Sequence, residues 1–283
     1  KGIKKLMEAV RFDELQLDER IVRAVTDMGF EAASPIQAQA IPVQLEGLDI
    51  IGQAQTGTGK TAAFGIPLLM KMDPENRKTQ AMILCPTREL AIQVAEELRR
   101  LAKYMSGIKI LPVYGGQEIT RQIRGLKDKP QIIVATPGRL MDHMDRGSIK
   151  FDHVKVVVLD EADEMLNMGF VDDINKILGA IPEDHQTLLF SATMPKAIQQ
   201  LAETYLTEPT LIRMKPTQVT MDLIEQYYIE VQDRQKFDVP PSAQPGAVLR
   251  APYRRTCAES ESLSRMSYSS PGPVRTKSEA KRS

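Results

Sequence analysis

The chain contains 283 residues, of which 42% are hydrophobic, 37 are basic and 37 are acidic. No apolar run approaches the ~18 residues of a membrane span, and the zero net charge excludes binding through a globally basic surface, although a local basic site stays open. Two cysteines cannot form a disulfide framework, and residues 1–10 lack the apolar stretch of a secretory signal, so we predict a cytoplasmic protein without membrane contact.

Composition divides the chain into unlike parts. Residues 239–283 hold eight basic side chains against three glutamates, with nine serines, six prolines, no isoleucine and no phenylalanine. Such a segment cannot bury enough apolar surface to offset its chain entropy, so we predict a disordered tail. One large domain is predicted over residues 1–215, and residues 216–238 are predicted to be a linker and the start of a second domain.

Short apolar blocks alternate with helical patterns along the first domain. A helix is predicted over residues 18–28, and a second helix begins at Ser34 and Pro35, a capping hydroxyl followed by proline. Amphipathic helices are predicted over residues 90–105 and 195–205. Strands are predicted at residues 49–53, 80–85, 108–113, 131–135, 155–159, 186–190 and 210–213. This alternation predicts an α/β fold, a parallel sheet flanked by helices, with ligands at the carboxyl ends of its strands.

The first predicted strand is followed by a glycine-containing loop that ends in Gly-Lys-Thr and opens a helix. The glycines let backbone N–H groups turn toward a polyphosphate, and the helix start adds its positive dipole end. Lys60 is predicted to contact the phosphates, and the Thr61 hydroxyl to bind Mg²⁺. The alternative is an ordinary corner with a surface lysine. The predicted phosphate contacts are Gln55, Thr56, Gly57, Thr58, Gly59, Lys60 and Thr61.

Carboxylates follow the purely apolar run Val-Val-Val-Leu at residues 156–159. Asp160 is predicted to hold Mg²⁺, partly through water, because Mg²⁺ keeps much of its hydration. Glu161 is predicted to orient or deprotonate the water that attacks the γ-phosphate. The alternative is an acidic helix start, since Asp and Glu favour first turns. Together with the loop at Lys60, these residues predict a catalytic nucleotide site made of Lys60, Asp160 and Glu161.

At this point the chain resembles the DEAD-box family of ATP-dependent RNA helicases, and bacterial members in particular. The sequence Asp160-Glu161-Ala162-Asp163 is the motif that names the family, and its phosphate loop begins with alanine, as Ala54 does here. The resemblance extends over about residues 12–237. It implies a RecA-like P-loop NTPase fold, ATP and Mg²⁺ as cofactors, RNA as substrate, and ATP hydrolysis coupled to duplex unwinding.

The resemblance also implies an adenine-reading segment. Gln37 follows Ser34 and Pro35 as in the family's Q motif, and its amide can both donate to and accept from adenine. Phe12 stands 17 residues before Gly29 and is predicted to stack on the base. The alternative for Phe12 is an aromatic side chain of the core.

Three further strand ends carry motifs that line the RNA track in the family. Hydroxyls, helix starts and an arginine suit phosphate oxygens and read no base sequence. The alternatives are a plain turn before a helix for residues 136–138, and an ion pair of Arg88 with Glu161 or Asp163. The predicted RNA contacts are Pro86, Thr87, Arg88, Gly115, Gly116, Thr136, Pro137, Gly138 and Arg139.

In the family, a Ser-Ala-Thr motif couples hydrolysis to strand separation by bonding to the acidic motif. Here a contact of Ser191 or Thr193 with Asp163 is predicted, and the alternative is a helix cap before Pro195. The three histidines lack metal-ligand spacing and are predicted to lie on the surface.

The family needs a second domain with a His-Arg-x-Gly-Arg-x-x-Arg motif, and this chain has no histidine after His185. We therefore predict the first catalytic domain of an ATP-dependent RNA helicase, with a truncated or frame-shifted second domain. The alternative is a non-catalytic module that binds ATP and RNA without turnover. The resemblance also implies partners in ribosome assembly or RNA decay.

Overall fold

The computed structural model describes residues 10–214. These residues belong to one compact unit. The predicted linker and the predicted disordered tail lie outside the described residues.

The described residues form a seven-stranded sheet in the order β3-β4-β2-β5-β6-β1-β7, and every neighbouring pair is parallel. The predicted α/β class with a parallel sheet flanked by helices is therefore confirmed. The strands lie at the predicted places, with ends shifted by no more than a few residues. They are β1 (Ile50–Gln53), β2 (Ala81–Leu84), β3 (Ile110–Val113), β4 (Ile132–Ala135), β5 (Val156–Leu159), β6 (Gln186–Ser191) and β7 (Thr210–Arg213).

Helices connect the strands and cover both faces of the sheet. The helix predicted over residues 90–105 begins at Arg88 because the Thr87 hydroxyl accepts from the Leu90 N–H, and it ends at Leu101. The helices are a 3₁₀ turn (Phe12–Leu15), α1 (Glu19–Asp27), α2 (Pro35–Leu45), α3 (Lys60–Met70), α4 (Arg88–Leu101), α5 (Ile119–Lys127), α6 (Pro137–Asp145), α7 (Ala162–Asn167), α8 (Val171–Leu178) and α9 (Lys196–Tyr205). None of these helices is long and apolar enough to cross a membrane.

Alternate residues of each central strand enter the two apolar layers. In β2, Ile83 belongs to the layer under α2, α3 and α4, whereas Met82 and Leu84 belong to the layer under α6, α8 and α9. Each fully buried side chain of this size stabilises the fold by roughly 1.5–3 kcal/mol. Gly52 is needed in β1, because a Cβ there would lie 2.6 Å from the Phe190 ring.

Backbone hydrogen bonds hold the residues that follow the strands side by side. The Asp160 N–H donates to the Leu84 carbonyl at 2.9 Å, and the Cys85 N–H donates to Ala135 at 2.9 Å. The Thr136 N–H donates to the Val113 carbonyl at 3.0 Å. The carboxyl ends of these strands therefore form one continuous edge, which carries the predicted site residues.

Candidate functional site

The strand order divides this edge into two parts. Strands β1, β6 and β5 carry residues 54–61, 191–193 and 160–163, which we call the phosphate-loop side. Strands β2, β4 and β3 carry residues 86–88, 136–139 and 114–117, which we call the arginine side. The order of the strands in the sheet thus groups residues that are far apart in sequence into these two sides.

The phosphate loop is held from outside by the start of α2. Ser34 Oγ donates to the Thr58 carbonyl at 2.9 Å, and Gln37 Nε2 donates to the Gly59 carbonyl at 3.0 Å. Gly59 has φ +88°, and a Cβ there would lie 2.5 Å from Gln37 Nε2, so glycine is required on both grounds. Helix α3 begins at Lys60 and places its positive dipole end at the loop.

Gln37 has a structural partner for each end of its amide. Its Oε1 accepts from the Ser34 N–H at 2.8 Å, while its Nε2 is bound to Gly59. A glutamine amide has two donors and two acceptor lone pairs, so one of each remains for a base. The side chain is only 4% exposed. Adenine reading by Gln37 stays a prediction, and the structure adds a second role, which is to link α2 to the loop.

Phe12 is buried in the core. Its ring is 6.3 Å from the Phe30 ring, stacked at an interplanar angle of 25°, and its exposure is 4%. This burial favours the core alternative, because a base could stack on Phe12 only if the ring were uncovered. Base stacking by Phe12 stays a prediction.

Lys60 and Asp160 form a buried pair that lacks partners for its polar atoms. Lys60 Nζ lies 4.0 Å from Asp160 Oδ1, and neither atom has a hydrogen-bond partner among the described residues. Burial raises the pKa of Asp160 to about 6, although Lys60 opposes the shift. Buried polar atoms without partners are costly and rare in folded proteins. Their presence at a strand end therefore indicates a place built for a charged ligand.

The residues around this pair fit a magnesium ion that is shared with phosphates. Thr61 starts α3 beside Lys60, and Asp160 supplies a carboxylate. Within residues 10–214 there is no cluster of three or more acidic, histidine or cysteine side chains that could form a complete metal site. Mg²⁺ typically takes one or two carboxylates and completes its shell with water and substrate phosphates, so the oxygen donors present are of the right kind.

Glu161 has an unusual backbone conformation, with φ 54° and ψ 50°, in the left-handed region. A non-glycine residue there carries roughly 1–2 kcal/mol of strain. Such strain concentrates at functional sites, where the surrounding fold imposes it. Glu161 precedes α7 directly, so its backbone sets how the acidic segment leaves β5.

Asp163 is bonded to the segment after β6. Thr193 Oγ1 donates to Asp163 Oδ2 at 2.7 Å, and the Thr193 N–H donates to the same oxygen at 2.9 Å. Burial raises the pKa of Asp163, but hydrogen bonds from Thr193 and Ser191 outweigh it, and the pKa is lowered overall. The structure thus brings the two segments together as predicted, with Thr193 as the main donor; their role in coupling stays a prediction.

On the arginine side, the Arg88 guanidinium lies 5.2 Å from the centre of the Tyr114 ring. The alternative ion pair is wrong, because no salt bridge within residues 10–214 joins Arg88 to Glu161 or Asp163. A Cβ at Gly116 would lie 3.2 Å from Arg88 Nη1. Arg88 is exposed and is held against the loop after β3.

Arg139 is mostly internal, with a side-chain exposure of 13%. Its Nη1 donates to the Gln117 carbonyl at 2.7 Å and to Gln122 Oε1 at 3.3 Å, and its Nε donates to Asp142 at 3.2 Å. These bonds use three of the five N–H donors of the guanidinium within the protein. RNA contact by Arg139 stays a prediction, and its observed contacts are all with the chain itself.

Two buried polar residues on this side were missed by sequence reasoning. Gln122 is 1% exposed, and His143 is 0% exposed, so the predicted surface position of His143 is wrong. A signal existed for both. Gln122 follows Ile119 by three residues, and His143 follows Leu140 by three residues, which places each on the apolar face of its helix.

Glu97 in α4 was missed as well. Burial raises the pKa of Glu97, and the Thr61 hydroxyl opposes that shift, so the carboxyl lies near a predicted metal ligand. Glu97 also raises the pKa of Asp160. A carboxylate outside the predicted motifs therefore also contributes to the charge of the phosphate-loop side.

The sequence profile of the DEAD/DEAH box helicase family matches residues 34–201. The chain is 57% identical over 229 residues to the ATP-dependent RNA helicase CshA of Listeria monocytogenes, covering 81% of this chain and 44% of that protein. It is 56% identical to the DEAD-box ATP-dependent RNA helicase CshA of Bacillus subtilis, covering 81% of this chain and 46% of that protein.

A similar solved structure is the crystal structure of a DEAD box protein from the hyperthermophile Methanococcus jannaschii. The TM-score is 0.70 at 45% sequence identity, and the match covers 81% of this chain and 61% of that one. The chain spans less than half the length of the curated relatives that it matches.

Proposed function

Because the chain belongs to the DEAD/DEAH box helicase family, we propose that residues 1–215 are the first catalytic domain of an ATP-dependent RNA helicase. The proposed reaction is hydrolysis of ATP with Mg²⁺, stimulated by RNA and coupled to separation of RNA strands. The proposed substrates are ATP at the phosphate-loop side and an RNA backbone at the arginine side, without preference for base sequence.

The single observation that carries the nucleotide part is the Lys60–Asp160 pair. Two buried charged groups 4.0 Å apart have polar atoms without partners among the described residues. A Mg²⁺-polyphosphate would supply both an anion for Lys60 and a cation for Asp160. Bound there, Mg²⁺ would neutralise charge on the phosphates.

The chain's own residues would divide the work as follows. Lys60 and the N–H groups of residues 55–59 bind the phosphates, while Thr61 and Asp160 hold the metal. Glu161 orients the attacking water and accepts its proton. Gln37 contributes the adenine preference, because its amide has one donor and one acceptor still open.

The RNA part is supported by open space at the arginine side. Gly115 and Gly138 would have no protein atom within 4 Å of an added Cβ, and neither has a positive φ. Nothing in the fold therefore requires glycine there, whereas a closely approaching ligand backbone would. The start of α6 offers the N–H groups of Gly138 and Arg139 to phosphates, and exposed Arg88 offers a positive charge, while Thr136 is largely buried.

A second candidate function is an ATP- and RNA-binding module without turnover. It applies to these 283 residues taken alone, because no copy of the arginine-rich motif that the resemblance implies for the family's ATP site follows His185 in them. Arginines at the γ-phosphate contribute about 10³–10⁵ in rate in related systems. Ribosome-assembly or RNA-decay partners and a cytoplasmic location are part of the proposal.

The test is phosphate release by the 283-residue chain, measured with and without single-stranded RNA. We expect binding of both ligands and turnover near background, which rises with RNA when the family's second domain is added in trans. Glu161→Gln should abolish that rise. The matched control is Glu164→Gln, an exposed carboxylate three residues later. Binding without any rise would favour the module, and a lack of Mg-nucleotide binding would refute both functions.

A further inference from the structure

A buried hydrogen-bond junction lies beneath the arginine side, centred on the amide of Gln122. Its Nε2 donates to the Tyr114 carbonyl at 2.8 Å and to Gln117 Oε1 at 3.1 Å. Its Oε1 accepts from Arg139 Nη1 at 3.3 Å and from His143 Nε2 at 3.0 Å. All four hydrogen-bonding positions of the amide are therefore used.

The junction joins two segments that are distant in sequence. Tyr114 and Gln117 flank the loop Gly115–Gly116 after β3, whereas Arg139 and His143 belong to α6, which follows β4. Arg139 adds a direct link of 2.7 Å to the Gln117 carbonyl. Two of the three strand ends with proposed RNA contacts, those after β3 and β4, are thus fixed to each other through side chains that face inward.

His143 extends the junction to the end of α6. Its Nδ1 lies 2.7 Å from Ser148 Oγ, and Ser148 Oγ lies 3.0 Å from the His143 carbonyl. Because Gln122 Oε1 can only accept, His143 Nε2 carries a proton. His143 thereby ties Gln122 to the segment that ends α6 and holds α6 in its orientation below the loop.

We propose that Gln122 and His143 are positioning residues for RNA binding, and that Arg139 acts with them as an internal strut. Together they would set the spacing between the Gly115–Gly116 loop and the start of α6, so that both present N–H groups to consecutive phosphates. This inference rests on the proposed function, since it assigns a cause to RNA binding by the arginine side.

The geometry favours a strut over a direct phosphate contact for Arg139. The planar guanidinium bonds Gln117, Gln122 and Asp142 at once, through Nη1 and Nε. A lysine would keep the charge but cannot reproduce this fork. A positioning role therefore makes Arg139→Lys as damaging as loss of the charge, whereas a simple phosphate contact would tolerate lysine.

The first experiment compares RNA affinity with Mg-ADP affinity in Gln122→Leu and Arg139→Lys. We expect each variant to weaken binding of single-stranded RNA about tenfold or more, as for the loss of one to two buried hydrogen bonds, with Mg-ADP affinity unchanged. Gln200→Leu, which replaces an exposed glutamine in α9, is the matched control. The double variant should be little worse than either single variant, because the two residues act through one junction.

The alternative outcomes are distinct. Parent-like RNA affinity in Gln122→Leu, or effects that simply multiply in the double variant, would overturn the proposal. A parent chain that binds Mg-ADP but not RNA would refute the RNA part of the proposed function instead.

A second experiment needs no RNA. Hydrogen exchange of the free protein should become faster in Gln122→Leu for peptides covering residues 114–120 and 136–141, and should stay unchanged for residues 54–61. His143→Asn, which removes the links of His143 to Gln122 and Ser148 but keeps those of Arg139, should affect residues 136–148 more than residues 114–120. Unchanged exchange at residues 114–120 in Gln122→Leu would overturn the positioning role, whatever the RNA affinity.

Discussion

The two sides of the strand edge differ in whether their buried polar groups have hydrogen-bond partners. On the phosphate-loop side, Lys60 Nζ and Asp160 Oδ1 are buried without hydrogen-bond partners among the described residues. On the arginine side, the Gln122 amide uses all four of its hydrogen-bonding positions. The first arrangement lacks hydrogen-bond partners that a ligand could supply, whereas the second is complete in the free protein.

This difference separates two ways of binding anions. Unpartnered buried charges cost folding free energy, and a ligand that satisfies them gains affinity in return. A satisfied network contributes no charge to the ligand but keeps backbone N–H groups in place, which lowers the entropy cost of binding. The phosphate-loop side would therefore select its ligand by charge, and the arginine side by spacing.

The largest expected effect comes from Lys60→Ala. Lysine bonds to a charged phosphate are worth about 1.5–3 kcal/mol each, so we expect Mg-ADP affinity to fall about 100-fold by calorimetry. The free variant should melt no lower than the parent, because Nζ has no hydrogen bond to lose and Asp160 can take up a proton. Lys150→Ala, at an exposed position, is the control. A clear loss of stability in the ligand-free Lys60→Ala variant would contradict the proposed difference between the two sides.

Next in size is the effect of Gln122→Leu on the free protein. The change leaves the Tyr114 carbonyl and His143 Nε2 without Gln122, and buried groups left unsatisfied cost roughly 1–3 kcal/mol each. For a domain of this size the melting temperature should fall by about 5–10 °C. The melting temperatures of Gln122→Leu and Lys60→Ala should be measured in parallel by calorimetry. Equal shifts for the two variants would contradict the difference between the two sides.

The phosphate-loop side could be predicted from sequence because its chemistry lies in contiguous residues. Gly59, Lys60 and Thr61 follow one strand, and Asp160 and Glu161 follow another, so the spacing alone indicates a nucleotide site. Parallel pairing then brings the two strand ends onto one edge. The seven strands were likewise predictable, since each is a short apolar block.

The arginine side was less predictable because its support comes from tertiary contacts. Gln122 and His143 lie 21 residues apart and meet only when α5 and α6 pack together. No local sequence pattern indicated that the Arg139 side chain would face inward, or that the Phe12 ring would be covered by Phe30. A motif predicts which residues follow a strand. The direction of each side chain depends instead on which neighbouring polar groups are available to form hydrogen bonds with it.

A smaller effect is expected within the phosphate-loop side, at Thr193→Val. The variant loses the hydroxyl bond to Asp163 but keeps the bond from the Thr193 N–H. One partly exposed hydrogen bond is worth about 0.5–1.5 kcal/mol, so the loss of stability in urea should lie in that range. Mg-ADP affinity should stay at the parent value. A loss comparable to that of Gln122→Leu would contradict this expectation, because the exposed hydroxyl bond would then be worth as much as the buried bonds of the arginine side.

The smallest effect concerns pH and His143. Burial lowers the pKa of His143, with Arg139 and Arg146 acting in the same direction and Asp142 opposing them. The unfolded chain therefore binds the proton first as pH falls through the ordinary histidine pKa of about 6.5, and stability conferred by the neutral ring is lost below that pH. Above it the ring is neutral in both states, so no dependence is expected there.

The sign of this pH dependence can be measured by comparing how stability changes with pH in the parent and in His143→Asn. Urea unfolding at about pH 7.5 and about pH 5.5 should show a larger loss of stability for the parent than for His143→Asn, because the other titrating groups are shared. The Nε2 bond to Gln122 persists in either protonation state, since that nitrogen donates in both. The pH dependence thus reports the cost of burying a positive charge, to which Arg139 adds, and not the breaking of the junction. An equal change of stability with pH in the parent and in His143→Asn would mean that the arginine side accommodates a further charge without cost. Its polar groups would then resemble those of the phosphate-loop side.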